Sequence, residues 1–287
     1  MKKKAYAKLN LSLNIINKND NGYHNVSMVL QSINIYDLIK IKKNKSNNIK
    51  IFSNNNLIPT DDNNLAYKMA KLLFDLYKIN HGIDIIIKKN IPISAGLAGG
   101  SADAAATLLI INKIFKLNIS KERMINIASK IGSDVPFCIF NNLFHATGTG
   151  TTLTEIKTRL PKCFFLIIHP NFSVATPFMY NKIDEINYSL YTNSSYDLIN
   201  EIKKGNLYNI SSKINNTFEL ISYDLFKETK IIKDFLIENN AINAMMSGSG
   251  PTMYGIYDKY ITAKKALNKA KKYSLGDYYY IAKPYYK

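Results

Sequence analysis

The sequence predicts an α+β protein of two domains, and three observations carry that expectation. At roughly 100 to 200 residues per domain, its 287 residues allow two ordinary domains or one large one. The first half opens on strand-like alternation and then adds helical spacing, and the second half mixes the two patterns again. Between the halves, Arg159-Leu160-Pro161 is the clearest break in pattern, so the expected domains are 1–160 and 161–287. Hydrophobic residues at 46% and charged residues at 21% supply a sizeable core and exclude a chain that is disordered throughout.

From Ala5 to Ile15 the alternation is strict. Ala7, Leu9, Leu11, Leu13 and Ile15 fall on one face, and Lys8, Asn10, Ser12 and Asn14 on the other, which predicts a half-buried strand. Asn19-Asp20-Asn21-Gly22 is turn chemistry, and the extended run Val26–Ile35 completes a hairpin. Further strands are expected at Ile39–Lys43, Ile49–Phe52 and Ile83–Lys88. Thr60 to Asn63 offer helix caps before Leu65, Met69, Leu72, Leu73 and Leu76, which recur at helical spacing. The stretch from Ile91 runs through small residues into a strong helix former. Ser120 caps a helix ending at Ile131-Gly132, where glycine suits the left-handed position past a C-terminus. A short element starts at Ser133-Asp134-Val135-Pro136, and glycine turns join strands around Ala146 to Leu153.

The second half begins with a strand at Phe164–Ile168 and a helix near Pro177–Ile183. A polar connection from Asn187 to Ser195 leads into helical patterns over Tyr196–Asn239. Strands at Ala241–Met246 and Thr252–Tyr257, a helix over Ile261–Lys272 and a last strand near Tyr278–Ala282 complete the chain.

Composition narrows the functional classes. Cys138 and Cys163 are too few for a disulfide framework and lack CxxC spacing, so both are expected as buried packing residues in a reduced compartment. No apolar run approaches the roughly 18 residues needed to span a bilayer, and Met1-Lys2-Lys3-Lys4 is not followed by a continuous apolar stretch, so a cytoplasmic chain without a membrane partner is expected. A net charge of +17 admits nucleic acid, an anionic surface or an anionic substrate. Only Arg123 and Arg159 are arginines, however, and a nucleic-acid surface favours arginine for its forked and stacking contacts. The lysine- and asparagine-rich surface therefore reads as the imprint of AT-rich coding, and no nucleic-acid partner is expected.

The loop from Pro92 to Asp103 is the strongest chemical signal. Its glycines let backbone N–H groups approach an anion, and the following helix adds its positive N-terminal end. A tight strand-to-helix turn packed with small residues has the same appearance. Neither GxxxxGK[ST] nor GxGxxG is present, so the P-loop and dinucleotide-binding classes are excluded. Asp134, between Gly132-Ser133 and Val135-Pro136-Phe137, is an acidic residue at the start of a short element with apolar neighbours, which a helix N-cap would also explain. Lys8 shares a strand face with Asn10 and Ser12 and is otherwise one lysine among many. Gly22-Tyr23-His24 reads as a hairpin corner with an amphipathic tip, and Ser247-Gly248-Ser249-Gly250 as a glycine turn also able to approach an anion.

Together, Ala7-Lys8-Leu9-Asn10-Leu11, Asn21-Gly22-Tyr23-His24, the loop Pro92–Ala106, Ile131-Gly132-Ser133-Asp134-Val135-Pro136-Phe137 and Ser247-Gly248-Ser249-Gly250 resemble the GHMP kinase superfamily. The lysine-asparagine strand and the Gly-Tyr-His corner narrow the resemblance to the 4-diphosphocytidyl-2-C-methyl-D-erythritol kinase family, over nearly the whole chain. The resemblance implies a ribosomal protein S5 domain 2-like first domain and a GHMP kinase C-terminal second domain, with ATP in the cleft between them. It implies transfer of the ATP γ-phosphate to the 2-hydroxyl of a small molecule carrying a cytidine diphosphate, in isoprenoid precursor biosynthesis. A monomer or homodimer is expected.

By the same resemblance Asp134 would take the proton from that hydroxyl, and Lys8 would stabilise the carboxylate and the developing charge. Pro92, Ile93, Ser94, Ala95, Gly96, Leu97, Ala98, Gly99, Gly100, Ser101 and Ala102 would wrap the ATP phosphates, with Ser101 contacting Mg2+. Asn10, Tyr23 and His24 would contact substrate, Thr176-Pro177 with Tyr180 would bring the ring that stacks on cytosine, and Gly248, Ser249 and Gly250 would form a second phosphate-side loop.

Two departures bear on these roles. Alanines stand in the loop where other members have glycine, and Ser101-Ala102 replaces a frequent Ser-Ser pair, leaving Ser101 as the hydroxyl contact. The rival expectations are another small-molecule GHMP kinase of homoserine or mevalonate type, and a basic RNA-binding protein using the aromatic tail Tyr278 to Lys287.

Overall fold

The computed structural model describes residues 1–188 and 194–287; part of the polar connection expected at 187–195, namely 189–193, lies outside the described residues. The opening alternation forms β1 (Lys2–Lys18), which pairs antiparallel with β2 (His24–Asn44) across the Asn19–Gly22 turn. β2 unites the strands expected at Val26–Ile35 and Ile39–Lys43. After β3 (Ile49–Ser53) comes α1 (Leu65–Tyr77), whose cap lies one residue beyond the expected ones: the Asn64 side chain accepts the Ala66 N–H at 2.9 Å. β4 (Gly82–Lys88) follows and leads through the small-residue loop to α2 (Gly99–Ile114).

Ser120 caps α3 (Lys121–Ser129), as its position suggests, by accepting the Arg123 N–H at 3.2 Å. Gly132, expected in a left-handed conformation, does not take a positive φ. The helix closes instead through Ile131 and Gly132 N–H groups that both reach the Ala128 carbonyl, so no reversal is needed there. The short α4 (Val135–Phe140), β5 (Leu143–Thr147) and β6 (Thr152–Glu155) complete the first half.

The second half contains β7 (Phe164–His169), α5 (Thr176–Ile183), α6 (Ser195–Lys204) and α7 (Leu207–Ser212). Then come β8 (Asn215–Asn216), α8 (Glu219–Leu225), α9 (Lys227–Glu238), β9 (Asn243–Met246), β10 (Met253–Tyr257), α10 (Tyr260–Lys272) and β11 (Tyr278–Ala282). The helical pattern expected over Tyr196–Asn239 is thus interrupted by β8, which pairs in parallel with Ser12 and Leu13 of β1.

Among the described residues, seven strands form one sheet, five in the order β3-β4-β2-β1-β8 with β5 pairing β2 and β6 pairing β5, and four form a second in the order β11-β7-β10-β9. The length of β2 is used twice. Met28–Gln31 pair with β5, and Leu38–Asn44 pair with β4 on the edge not taken by β1. The chain changes sheet between Glu155 and Phe164, while β8 and a bridge from Pro284 to Ile33 cross back to the first sheet. The aromatic tail is packed inward: Tyr285 stacks on Tyr6 at 3.7 Å, and the Tyr286 hydroxyl accepts the Leu160 N–H at 2.7 Å.

β1 departs from the half-buried expectation. Its apolar residues divide between two cores, because the register with β2 slips between Tyr6 and Lys8 and again between Asn10 and Ser12. Ala7, Leu9 and Leu11 join Phe165, Ile167, Met245 and Tyr254 of the second sheet, whereas Ala5, Leu13 and Ile15 belong to the core beneath α1 and α2. Its polar residues are buried as well: Lys8, Asn10, Ser12 and Asn14 are all under 6% exposed. Ser195 of α6 meets Ser12 at 2.8 Å and Asn14 at 2.9 Å, so the second half covers this face and satisfies its hydrogen bonds. Cys138 and Cys163 are free and buried, and no helix among the described residues is long and apolar enough to cross a membrane.

Candidate active site

A cleft of ≈ 710 Å³ opens where β1, the β1–β2 corner, the loop before α2, the start of α4 and the start of α5 converge. It collects Lys8, Asn10, Tyr23, His24, Asp134, Thr176 and Tyr180 from positions far apart in the chain, together with Gly248 and Ser249. From the expected phosphate loop it takes Ser94, Ala95, Gly96, Ala98, Gly99, Gly100 and Ser101.

The remaining loop residues do not line this cleft. Pro92 and Ile93 lie outside the cleft lining, and the Ile93 carbonyl accepts the Ser173 hydroxyl at 3.3 Å. Leu97 and Ala102 are each 1% exposed and belong to the two cores. A hydroxyl at position 102 would therefore face packed apolar atoms, while Ser101 faces the cleft. Gly250 likewise sits behind the lining, against the Met246 side chain.

The loop is shaped for a backbone-lined anion site. Ala98 precedes α2 with φ of 58° and provides no side-chain cap, leaving the first N–H groups of the helix free of a capping partner. Ser94 also has a positive φ, and a non-glycine residue in that region costs about 1 to 2 kcal/mol. Gly96, at φ of 71°, passes so close to the Ser247 carbonyl that a Cβ would collide with it. The Ser247 hydroxyl donates to the Gly96 carbonyl at 3.0 Å, so the two glycine loops are joined.

Lys8 is held beneath this junction. Its Nζ donates to Asn10 Oδ1 at 2.6 Å and to the Gly96 carbonyl at 3.0 Å, and lies 3.8 Å from Asp134 Oδ2. Asp134 occupies the N-cap position of α4, yet its side chain makes no capping hydrogen bond. The carboxylate is 31% exposed, against 5% for the lysine side chain, so a charged acceptor group faces the opening with a buried cation behind it.

The opposite wall is aromatic. The His24 ring stacks on Tyr180 at 4.7 Å, and Tyr180 meets Phe218 edge-on at 5.0 Å. One face of Tyr180 is therefore already covered by His24, while Tyr23 remains 64% exposed beside it. Burial, followed by the nearby Asp134 charge, pushes the Tyr180 hydroxyl well above its ordinary pKa, keeping it neutral. Thr176 and Ser249 hydroxyls meet at 2.9 Å, linking α5 to the second glycine loop.

Two features escaped sequence reading. Lys89, Asp37 and Asp103 form a buried charge cluster beneath the loop, with Lys89 Nζ at 2.5 Å from Asp37 and 2.8 Å from Asp103. Asp37 Oδ1 also accepts the N–H groups of Asn90 and Ile91, fixing the start of the loop. Burial opposes charge on Lys89, but the two carboxylates outweigh it and raise its pKa. Burial, with Asp37 adding to it, pushes Asp103 up to about 8 despite its lysine partner. One cation between two carboxylates leaves a negative charge uncompensated, which favours retention of a proton. The second feature is Asp184 at the end of α5, which binds both His24 and Lys18. Among the described residues no group of three or more His, Cys, Asp and Glu is placed to hold a metal ion.

The comparisons agree with this architecture. The family model for the GHMP kinase N-terminal domain matches residues 64–142, and that for the GHMP kinase C-terminal domain matches residues 198–274. A 4-diphosphocytidyl-2-C-methyl-D-erythritol kinase of Clostridium botulinum (strain Alaska E43 / Type E3) is 41% identical over 93% of this chain and 95% of its own length. That of Clostridium acetobutylicum is 40% identical over 95% and 96%. Among solved structures, a 4-(cytidine 5'-diphospho)-2C-methyl-D-erythritol kinase superposes with a TM-score of 0.81 at 23% identity, covering 99% of this chain and 98% of that one. A homoserine kinase from Cytophaga hutchinsonii follows at 0.75 and 17%, covering 99% and 95%; both structural likenesses concern the fold. The chain, matched over nearly its whole length, belongs to the 4-diphosphocytidyl-2-C-methyl-D-erythritol kinase family of GHMP kinases.

Proposed function

We propose that the chain transfers the γ-phosphoryl group of ATP to the 2-hydroxyl of 4-diphosphocytidyl-2-C-methyl-D-erythritol, giving the 2-phosphate and ADP in the methylerythritol phosphate route to isoprenoid precursors. The observation that carries the reading is the Asp134 carboxylate, free of any capping bond and 3.8 Å from the buried Lys8 ammonium at the cleft. Phosphoryl transfer demands little of a protein beyond positioning and charge stabilisation. Asp134 accepts the hydroxyl proton as the oxygen attacks the γ-phosphorus, the bond to the β-phosphate oxygen breaks, and ADP departs. Lys8 lies where it stabilises negative charge, and the uncapped start of α2 receives the phosphates.

The cleft also suits Mg2+, which commonly takes few protein oxygens alongside phosphates and water. Ser101 presents a hydroxyl to the cleft at the start of α2 and would hold the ion; when bound, Mg2+ neutralises phosphate charge. Asn10, Tyr23, His24, Thr176 and Tyr180 form the acceptor side, and Gly248 and Ser249 approach the phosphates. The domains divide at 160/161, a position bracketed by the last strand of the first half and the first strand of the second sheet. The chain acts as a monomer or a homodimer. The two free, buried cysteines suit the reduced cytoplasm.

Acceptor-dependent ADP release tests the reading. ADP is expected with ATP and the cytidine diphosphate compound, and little with methylerythritol phosphate, homoserine or mevalonate. Equal turnover on methylerythritol phosphate would remove the specific substrate while leaving a small-molecule kinase.

A further inference from the structure

His24 is joined to the second half of the chain by a carboxylate outside the cleft lining. Its Nε2 lies 2.7 Å from Asp184 Oδ1, and the other Asp184 oxygen accepts from Lys18 Nζ at 2.6 Å. Burial raises the Asp184 pKa, but the bonds from Lys18 and His24 outweigh it and lower it, so the group remains an ionised acceptor. An ionised carboxylate cannot donate, so a neutral His24 must carry its proton on Nε2. Nδ1 is then an acceptor, and no hydrogen bond to it occurs among the described residues. The stack on Tyr180 fixes the plane of the ring, and the ring lines the cleft.

We propose that Asp184 is a positioning residue for base selection: by holding the Nε2–H tautomer of His24, it leaves Nδ1 as an acceptor matched to the exocyclic amine of cytosine and mismatched to the corresponding carbonyl of uracil. The inference rests on the cytidine acceptor proposed above. Lys18 neutralises Asp184 from the exposed end of β1, where its backbone pairs with that of His24, and it does not line the cleft. Its removal therefore separates general tethering from tautomer control.

The tautomer can be read directly from the imidazole nitrogen shifts of His24 in the intact protein at mildly alkaline pH. The neutral ring is expected to carry its proton on Nε2; a neutral ring that carries it on Nδ1 overturns the proposal without recourse to a variant. The second arm compares kcat/KM for the cytidine acceptor and the matching uridine compound. Asp184→Asn, whose amide can support either tautomer, should cut the preference for cytidine about tenfold, mainly through KM, whereas Lys18→Met should retain it. An unchanged preference in Asp184→Asn, with turnover intact, overturns the inference and leaves the proposed reaction standing. A wild-type chain that releases no ADP with the cytidine acceptor sinks the reaction itself, and the base-selection role with it.

Discussion

Two buried lysines in this molecule face carboxylates, and they do so in opposite ways. Lys89 is closed: two carboxylates meet it at 2.5 and 2.8 Å, all three groups are nearly excluded from water, and Asp37 spends its other oxygen on backbone N–H groups. Lys8 is open: its short contacts are to a neutral amide and a carbonyl, and its carboxylate stands off at 3.8 Å with 31% of its surface exposed. A closed pair satisfies charge and fixes backbone. An open pair keeps an acceptor and a cation available to a third participant, as phosphoryl transfer requires.

The sharpest way to break this comparison is to remove each lysine in turn. Lys8→Met should lower kcat by about 10² to 10³, with a smaller change in KM and a melting temperature close to wild type. A pure KM effect would mean that Lys8 only holds substrate. Lys89→Met leaves the Asp37 carboxylate and the Asp103 carboxyl group buried without their cation and should cost about 3 to 5 kcal/mol of stability, read in denaturant unfolding. A variant as stable as the wild type would contradict the closed role.

The aromatic wall is expected to contribute less. Tyr180→Ala removes the ring that supports His24 and should raise KM for the cytidine acceptor about ten- to a hundredfold, leaving KM for ATP unchanged. A shift confined to ATP would assign the ring to the donor side. The smallest effect concerns Asp103, whose pKa rises from 3.8 to about 8 on folding. Between those values the folded chain holds a proton that the unfolded chain has released, so this contribution is fully present below about 4 and is lost as pH rises through about 8. Asp103→Asn removes the titration and should flatten melting temperature against pH across that window. Retention of the wild-type slope would place the titration on another group.

The sequence exposed the open pair far better than the closed one. The small-residue loop stands out by local chemistry, whereas Asp134, which alone reads equally as an N-cap, and Lys8, one lysine among many, are picked out by the family resemblance. Lys89 stands among many lysines, and its partners at Asp37 and Asp103 are brought together only by the pairing of β2 with β4 and by α2 lying beneath the loop. Asp184 was silent for the same reason, since its meaning lies in a contact with His24, 160 positions away. Alternation located β1 but could not reveal that α6 covers its polar face, because a strand polar on one side looks the same whether water or Ser195 satisfies it. The two-residue β8 is too short to leave any period.

Single-turnover phosphoryl transfer by Asp134→Asn, with both substrates bound, tests the open pair most directly. The amide preserves shape but cannot take the hydroxyl proton, so the rate should fall by about 10² to 10⁴ while ATP affinity, acceptor affinity and melting temperature stay near wild type. A near-normal rate would contradict the account and return Asp134 to the role of a residue that merely begins α4.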